Sequence, residues 1–176
     1  MEAEFSLWLL PAATHEALLL ETIARLSTLL VGPGFAPHVT IQGDIALPRE
    51  RLHLPLVRLA ARIPVQSWRV KRVESGEHFF RCLYLRFGDQ SAFGDMQKAA
   101  RAFTRTAHGL SPFPHLSLAY ADPDPGNARL CETLVDDFAA QEMVFDRLAV
   151  CRSSKHVPVP EWECLAQYPL ATALNQ

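Results

Sequence analysis

Pro37-His38-Val39-Thr40-Ile41 and Pro114-His115-Leu116-Ser117-Leu118 carry one pattern (proline, histidine, aliphatic, hydroxyl, aliphatic) at two separate places in a chain of 176 residues. In a strand, side chains alternate between faces, so His38 and Thr40 share one face, about 7 Å apart, while Val39 and Ile41 take the other. The second copy repeats this arrangement with His115 and Ser117. A strand that buries its aliphatic side and offers an imidazole beside a hydroxyl on the other is half of an anion site. Two such halves facing one another suit phosphate chemistry, because one imidazole can accept a proton while the other gives one. A solitary His-x-Thr is ordinarily a satisfied structural group. Here each copy follows a helix-like stretch, a glycine break (Gly32-Pro33-Gly34; Gly109) and a phenylalanine, which reads as a duplicated device.

Around the two motifs the periodicities alternate. Residues 4 to 10 alternate as a strand with Trp8 on its more polar face, and Pro11 ends it. Leu19, Ile23, Leu26 and Leu30 then trace one helical face, with Thr14 as the N-cap. The first histidine strand runs to about Ile45. A second helix follows Pro48, with Leu52, Leu56, Leu59 and Ile63 buried. Residues 64 to 74 and Phe79 to Phe87 form a hairpin about Ser75-Gly76-Glu77. Phe93, Met96, Ala100, Phe103 and Ala107 mark the next helix, which ends at Gly109 before the second histidine strand. A loop from Ala121 to Gly126 leads to a helix burying Leu130, Leu134 and Phe138. Two closing strands, 143 to 152 and 162 to 168, flank the connection from Ser153 to Pro160. The order strand, helix, histidine strand, helix occurs twice. The expected class is α+β, one domain over residues 1 to 176. It is bilobal, with two pseudo-equivalent antiparallel sheets backed by helices and a cleft between them.

Bulk properties narrow the function. The chain is 49% hydrophobic and 20% charged with a net charge of −2, so it lacks the basic field that long nucleic acids require. The start Met1-Glu2-Ala3-Glu4 is acidic where a signal peptide is basic, and no apolar run approaches the roughly 18 residues of a membrane span. A cytoplasmic monomer without membrane contact is expected. Cys82, Cys131, Cys151 and Cys164 form no Cys-x-x-Cys motif, and three of them fall in strand-like runs as core thiols.

With both motifs in this arrangement, the sequence resembles the two-histidine phosphoesterase superfamily, and within it the cyclic phosphodiesterases of plant and yeast type. The stretches Phe5-Ser6-Leu7-Trp8-Leu9-Leu10-Pro11 and Phe79-Phe80-Arg81-Cys82-Leu83-Tyr84-Leu85 are similar to that branch. The resemblance covers most of the chain. It implies a small bilobal protein that opens ADP-ribose 1″,2″-cyclic phosphate, a by-product of tRNA splicing, and nucleoside 2′,3′-cyclic phosphates without metal or other cofactor. It implies His38 and His115 as catalytic, Thr40 and Ser117 as phosphate-binding, and Phe80, Tyr120 and Trp8 as contacts to the base. The family assigns His115 as base and His38 as acid.

The residues themselves weigh on these roles. Imidazole, with an ordinary pKa near 6.5, suits both proton transfers, and a hydroxyl beside each can donate to a phosphoryl oxygen as charge develops. Phe80 reads equally well as core, and strict alternation from His115 turns Tyr120 away from the cleft unless the strand ends or bulges after Leu118. Arg69, Lys71 and Arg72 form a charge run that reads as a solvated face or as a contact for a diphosphate. His15, His53, His78, His108 and His156 read as surface or helix-end residues. Alternative functions are an RNA-end-processing relative acting on 2′,3′-cyclic ends or 2′-5′ linkages, with short RNA ends as partners, and an idle nucleotide-binding module. A metal-dependent hydrolase needs clustered ligands that neither motif supplies.

Overall fold

The computed structural model describes residues 4–172. Among them the order of elements is β1 (Phe5–Pro11), α1 (Ala13–Leu30), β2 (Val39–Ile45), α2 (Arg49–Ala60), β3 (Gln66–His78), β4 (Arg81–Phe87), α3 (Ser91–Thr104), β5 (His115–Ala119), α4 (Asn127–Phe138), β6 (Glu142–Arg152) and β7 (Glu163–Pro169). No helix among the described residues is long and apolar enough to cross a membrane. The fold is α+β, as expected.

All strand pairings are antiparallel, in the order β1-β2-β5-β4-β3-β6-β7, and β6 also pairs with β1. The two sheets expected from sequence are therefore continuous in hydrogen bonding. β6 spans both halves by pairing β1 through residues 145–152 and β3 through residues 142–145. Between the two histidine strands the ladder shrinks to one pair, Val39 opposite Leu116. The order β1-β2-β5-β4 reads the same from either end of that pair, so the duplication appears as a pseudo-twofold about the seam.

One face of the sheet carries Leu7, Leu9, Val39, Ile41, Leu116 and Leu118, all buried under the helices. Trp68 sits within this core, its ring edge-on or tilted to Phe87, Phe93 and Phe145 at 5.0 to 6.3 Å. Leu52, Leu56, Leu59 and Ile63 are buried as their spacing predicts. The other face, freed from apolar packing, forms the cleft.

Several boundaries moved. Pro11 extends β1 because it pairs with Phe145 at the end of the ladder, where its missing N–H leaves nothing unsatisfied. α1 starts one residue before Thr14, after Ala12, and no side chain caps it. The β3–β4 turn is Phe79-Phe80 and not Ser75-Gly76-Glu77, because pairing continues through Glu74 opposite Tyr84 and Ser75 opposite Leu83. Tyr84 donates its hydroxyl to the Glu74 carboxylate at 2.8 Å across that ladder, which fixes the longer register. Cys151 and Cys164 are a cross-strand pair between β6 and β7 and form a disulfide, while Cys82 and Cys131 remain buried thiols.

Gly109 has φ +75° and lies against the backbone of Gly43, whose N–H donates to the Gly109 carbonyl at 2.7 Å. A methyl group at 109 would both strain the backbone and overlap the Gly43 carbonyl. Gly109→Ala is expected to destabilise the protein by about 2 to 4 kcal/mol, measured by denaturant unfolding, while Gly34→Ala, with open space at its Cβ, changes stability by less than about 1 kcal/mol. Equal effects of the two substitutions would contradict the close approach.

Candidate active site

The seam at Val39 and Leu116 sets the geometry of everything above it. In an antiparallel pair the next residues on either side also stand opposite, which places Thr40 against His115 and His38 against Ser117. All four are one step from the seam pair and so project from the cleft face. Each histidine therefore has its own hydroxyl along the strand and the other motif's hydroxyl across it. The flanking strands extend the row, with Trp8 opposite Thr40 and Arg86 opposite His115.

Both imidazoles are held the same way. His38 Nδ1 lies 2.7 Å from the Ala36 carbonyl and His115 Nδ1 lies 2.9 Å from the Phe113 carbonyl. A carbonyl only accepts, so Nδ1 carries the proton in each ring and Nε2 is left for other partners. The partner is in each case the residue before the motif proline, whose fixed φ starts the turn into the strand. The repeated Pro-His therefore fixes ring orientation and tautomer.

Their surroundings differ. His38 is boxed by uncharged rings: Trp8 lies flat on it at 3.6 Å and 8°, Phe35 and Trp162 stand edge-on at 6.3 and 6.4 Å, and the Tyr120 hydroxyl is 3.5 Å from Nε2. Burial lowers its pKa to about 4, with a smaller contribution from His115. His115 is bordered by the rings of Tyr84 and Phe113 and by the guanidiniums of Arg81 and Arg86. Burial first, then these two cations, lowers its pKa to about 4. Burial thus favours the neutral form of both rings at pH 7.

The two hydroxyls are also unequal. Ser117 donates to the Phe80 carbonyl at 2.8 Å, whereas the Thr40 hydroxyl has no partner among the described residues. The cavity above the four residues has a volume of about 420 Å³. Phe80, Tyr120 and Trp8 all line it, together with Trp162, Arg81 and Lys155, which sequence reading did not single out. The parity obstacle to Tyr120 is removed as the sequence requires. β5 ends at Ala119 and is bulged, with Ser117 opposite Tyr84 but Ala119 opposite Leu83, so one extra residue reverses the alternation. Phe80, at the hairpin tip, is 38% exposed and faces Trp162 at 5.8 Å and 23°. Trp162 also meets Tyr120 at 5.7 Å and Trp8 at 5.9 Å. Arg69, Lys71 and Arg72 lie outside the cleft, as does the loop of residues 122–126. Among the described residues no group of three or more His, Cys, Asp or Glu gathers to hold a metal ion.

Set against known proteins, the chain is 25% identical over 167 residues to the cyclic phosphodiesterase of Arabidopsis thaliana, covering 92% of each. Its fold is similar to the crystal structure of TT0787 of Thermus thermophilus, with a TM-score of 0.63, 17% identity and coverage of 99% of this chain and 100% of that one. It is likewise similar to E. coli LigT complexed with 3′-AMP, with a TM-score of 0.60, 13% identity and coverage of 97% and 99%. No family model matches. The chain thus has the fold of these solved structures and, over most of its length, is similar to a curated cyclic phosphodiesterase.

With both imidazoles neutral, an anion bound between them should draw a proton onto the pair, since a nearby negative charge favours imidazolium. Titration calorimetry with inorganic phosphate at pH 7, in buffers of different ionisation enthalpy, is expected to show net proton uptake on binding. Uptake in the His38→Gln, His115→Gln double variant equal to that of the parent would contradict it.

Proposed function

We propose that this protein is a metal-independent cyclic phosphodiesterase that opens ADP-ribose 1″,2″-cyclic phosphate and nucleoside 2′,3′-cyclic phosphates to phosphomonoesters. The observation that carries the reading is the convergence of His38, Thr40, His115 and Ser117 on one cleft face across a single backbone pair. The similarity to a cyclic phosphodiesterase and the 3′-AMP held by LigT support a nucleotide ligand.

The chemistry adds water across one ring P–O bond. Neutral His115 accepts a proton from the attacking water at Nε2, the new P–O bond forms, and the ring bond opposite breaks. His38, protonated once the substrate is bound, gives its Nε2 proton to the departing ribose oxygen. In-line displacement needs base and acid on opposite sides of phosphorus, and one histidine per half meets that need. The division of labour follows from the surroundings. Arg81 and Arg86 disfavour a proton on His115, which suits a base. The flat Trp8 face can hold an imidazolium at His38 by cation–π attraction, which suits an acid. Thr40 donates directly to a non-bridging oxygen, whereas Ser117 must first leave the Phe80 carbonyl.

Turnover should be assayed in EDTA with ADP-ribose 1″,2″-cyclic phosphate, nucleoside 2′,3′-cyclic phosphates and an oligonucleotide ending in a cyclic phosphate. His38→Ala and His115→Ala are each expected to lower kcat by about a hundred- to ten-thousandfold, and the double variant by less than the product. Thr40→Ala should lower kcat by the equivalent of about 2 to 4 kcal/mol, and Ser117→Ala by less. A single histidine variant that keeps most of its activity would remove that residue from the mechanism. Turnover confined to the oligonucleotide would favour RNA-end processing.

A further inference from the structure

The four residues around the seam obey the pseudo-twofold, but the cleft wall built by residues 153–162 does not. This segment connects β6 to β7 and has no counterpart in the duplicated unit. It supplies Ser153, Ser154, Lys155 and Trp162 to the cleft lining.

The segment is anchored along its length. The Cys151–Cys164 disulfide joins the strands at its two ends. Ser6 of β1 donates its hydroxyl to the Ser153 carbonyl at 2.8 Å, and the Ser153 N–H donates to the Glu4 carbonyl at 2.8 Å. The His156 N–H donates to the Ser154 hydroxyl at 3.1 Å, closing a tight turn around Lys155. The Trp162 indole N–H donates to the Val157 carbonyl at 2.9 Å, while its ring rests among Trp8, Phe80 and Tyr120. Lys155 is thus carried on a fixed wall of the cleft.

Its charge is uncommitted. Among the described residues no carboxylate lies within 4.0 Å of Lys155. The other lysine or arginine in the lining, Arg81, lies over the Phe113 ring beside His115. Among the described residues, Ser153, only 1% exposed, has a hydroxyl without a hydrogen-bond partner, and the Ser154 hydroxyl accepts one bond and donates none. A buried hydroxyl normally finds a partner, so the wall offers donors and a cation with no acceptor of its own.

We propose that Lys155, with the Ser153 and Ser154 hydroxyls, is a second anion subsite that takes a phosphoryl group of the substrate other than the one being opened. This rests on the cyclic phosphodiesterase reading and sharpens it. The preferred substrates are those whose cyclic phosphate is accompanied by a second phosphoryl group, as a 5′-phosphate or a diphosphate, over nucleosides bearing the cyclic phosphate alone. An ammonium gives charge without a demand for bidentate geometry, so either form is accepted.

The test compares two non-reacting ligands by calorimetry on the full chain: adenosine 2′-monophosphate and adenosine 2′,5′-bisphosphate. The bisphosphate should bind more tightly, and Lys155→Gln should reduce that preference by about tenfold, while Lys155→Arg retains it. Ser153→Ala should reduce the preference by a smaller factor. A preference unchanged in Lys155→Gln, whether both ligands weaken together or neither does, overturns the subsite. Because the readout is a ratio of Kd values, it stands apart from turnover. A protein that binds both ligands and hydrolyses no cyclic phosphate would sink the functional reading and still decide the subsite.

Discussion

The cleft exists because β2 and β5 pair through a single residue pair, Val39 with Leu116, inside a sheet that is otherwise continuous. A longer ladder there would draw the strands together and fill the space above them with cross-strand contacts. No ladder at all would leave the two halves without a common register. One pair is enough to decide which residues oppose which, and period-two alternation then delivers two imidazoles and two hydroxyls to one face. The closure through β6, which holds β1 and β3 at its two ends, keeps that seam in place.

Symmetry in the backbone does not mean symmetry in chemistry. Each histidine donates an Nδ1–H hydrogen bond to a carbonyl two residues back, so the chain repeats orientation and tautomer. Beyond the phenylalanine that precedes each motif, the surroundings differ: Trp8, Tyr120 and Trp162 around His38, and Tyr84, Arg81 and Arg86 around His115. Burial disfavours a proton on either ring, so binding of an anion is expected to restore one. The uncharged aromatic box on one side and the guanidiniums on the other give the two rings different electrostatic surroundings, which is the basis of the proposed division into acid and base.

Much of this was legible in the residues. The His-x-Thr and His-x-Ser pair marked four residues that the fold brings together, and helical and strand periods placed nearly every element, because burial of one face imposes those periods directly. The turn at Phe79-Phe80 was not legible. Ser75-Gly76-Glu77 has turn-forming composition, and only the pairing of Glu74 with Tyr84 shows that the ladder runs past it. Tyr120 illustrates a conditional reading: alternation pointed it away, and a bulge that no local residue announces brought it back. Trp162 and Lys155 were missed because their connection reads as a polar loop, and the disulfide because Cys151 and Cys164 meet only through the β6–β7 register.

In the proposed mechanism one imidazole must be protonated and the other neutral for the reaction to proceed. This requirement is tested most directly by the pH dependence of kcat/KM and kcat for a nucleoside 2′,3′-cyclic phosphate. With both free-enzyme values near 4, kcat/KM should be bell-shaped with its maximum on the acidic side and fall as pH rises above about 5. The kcat profile should lie at higher pH, because bound phosphate raises both values. Removing the base should abolish the acidic limb and removing the acid the basic one. Turnover that stays flat between pH 5 and 9 in both parameters would contradict the two-histidine mechanism.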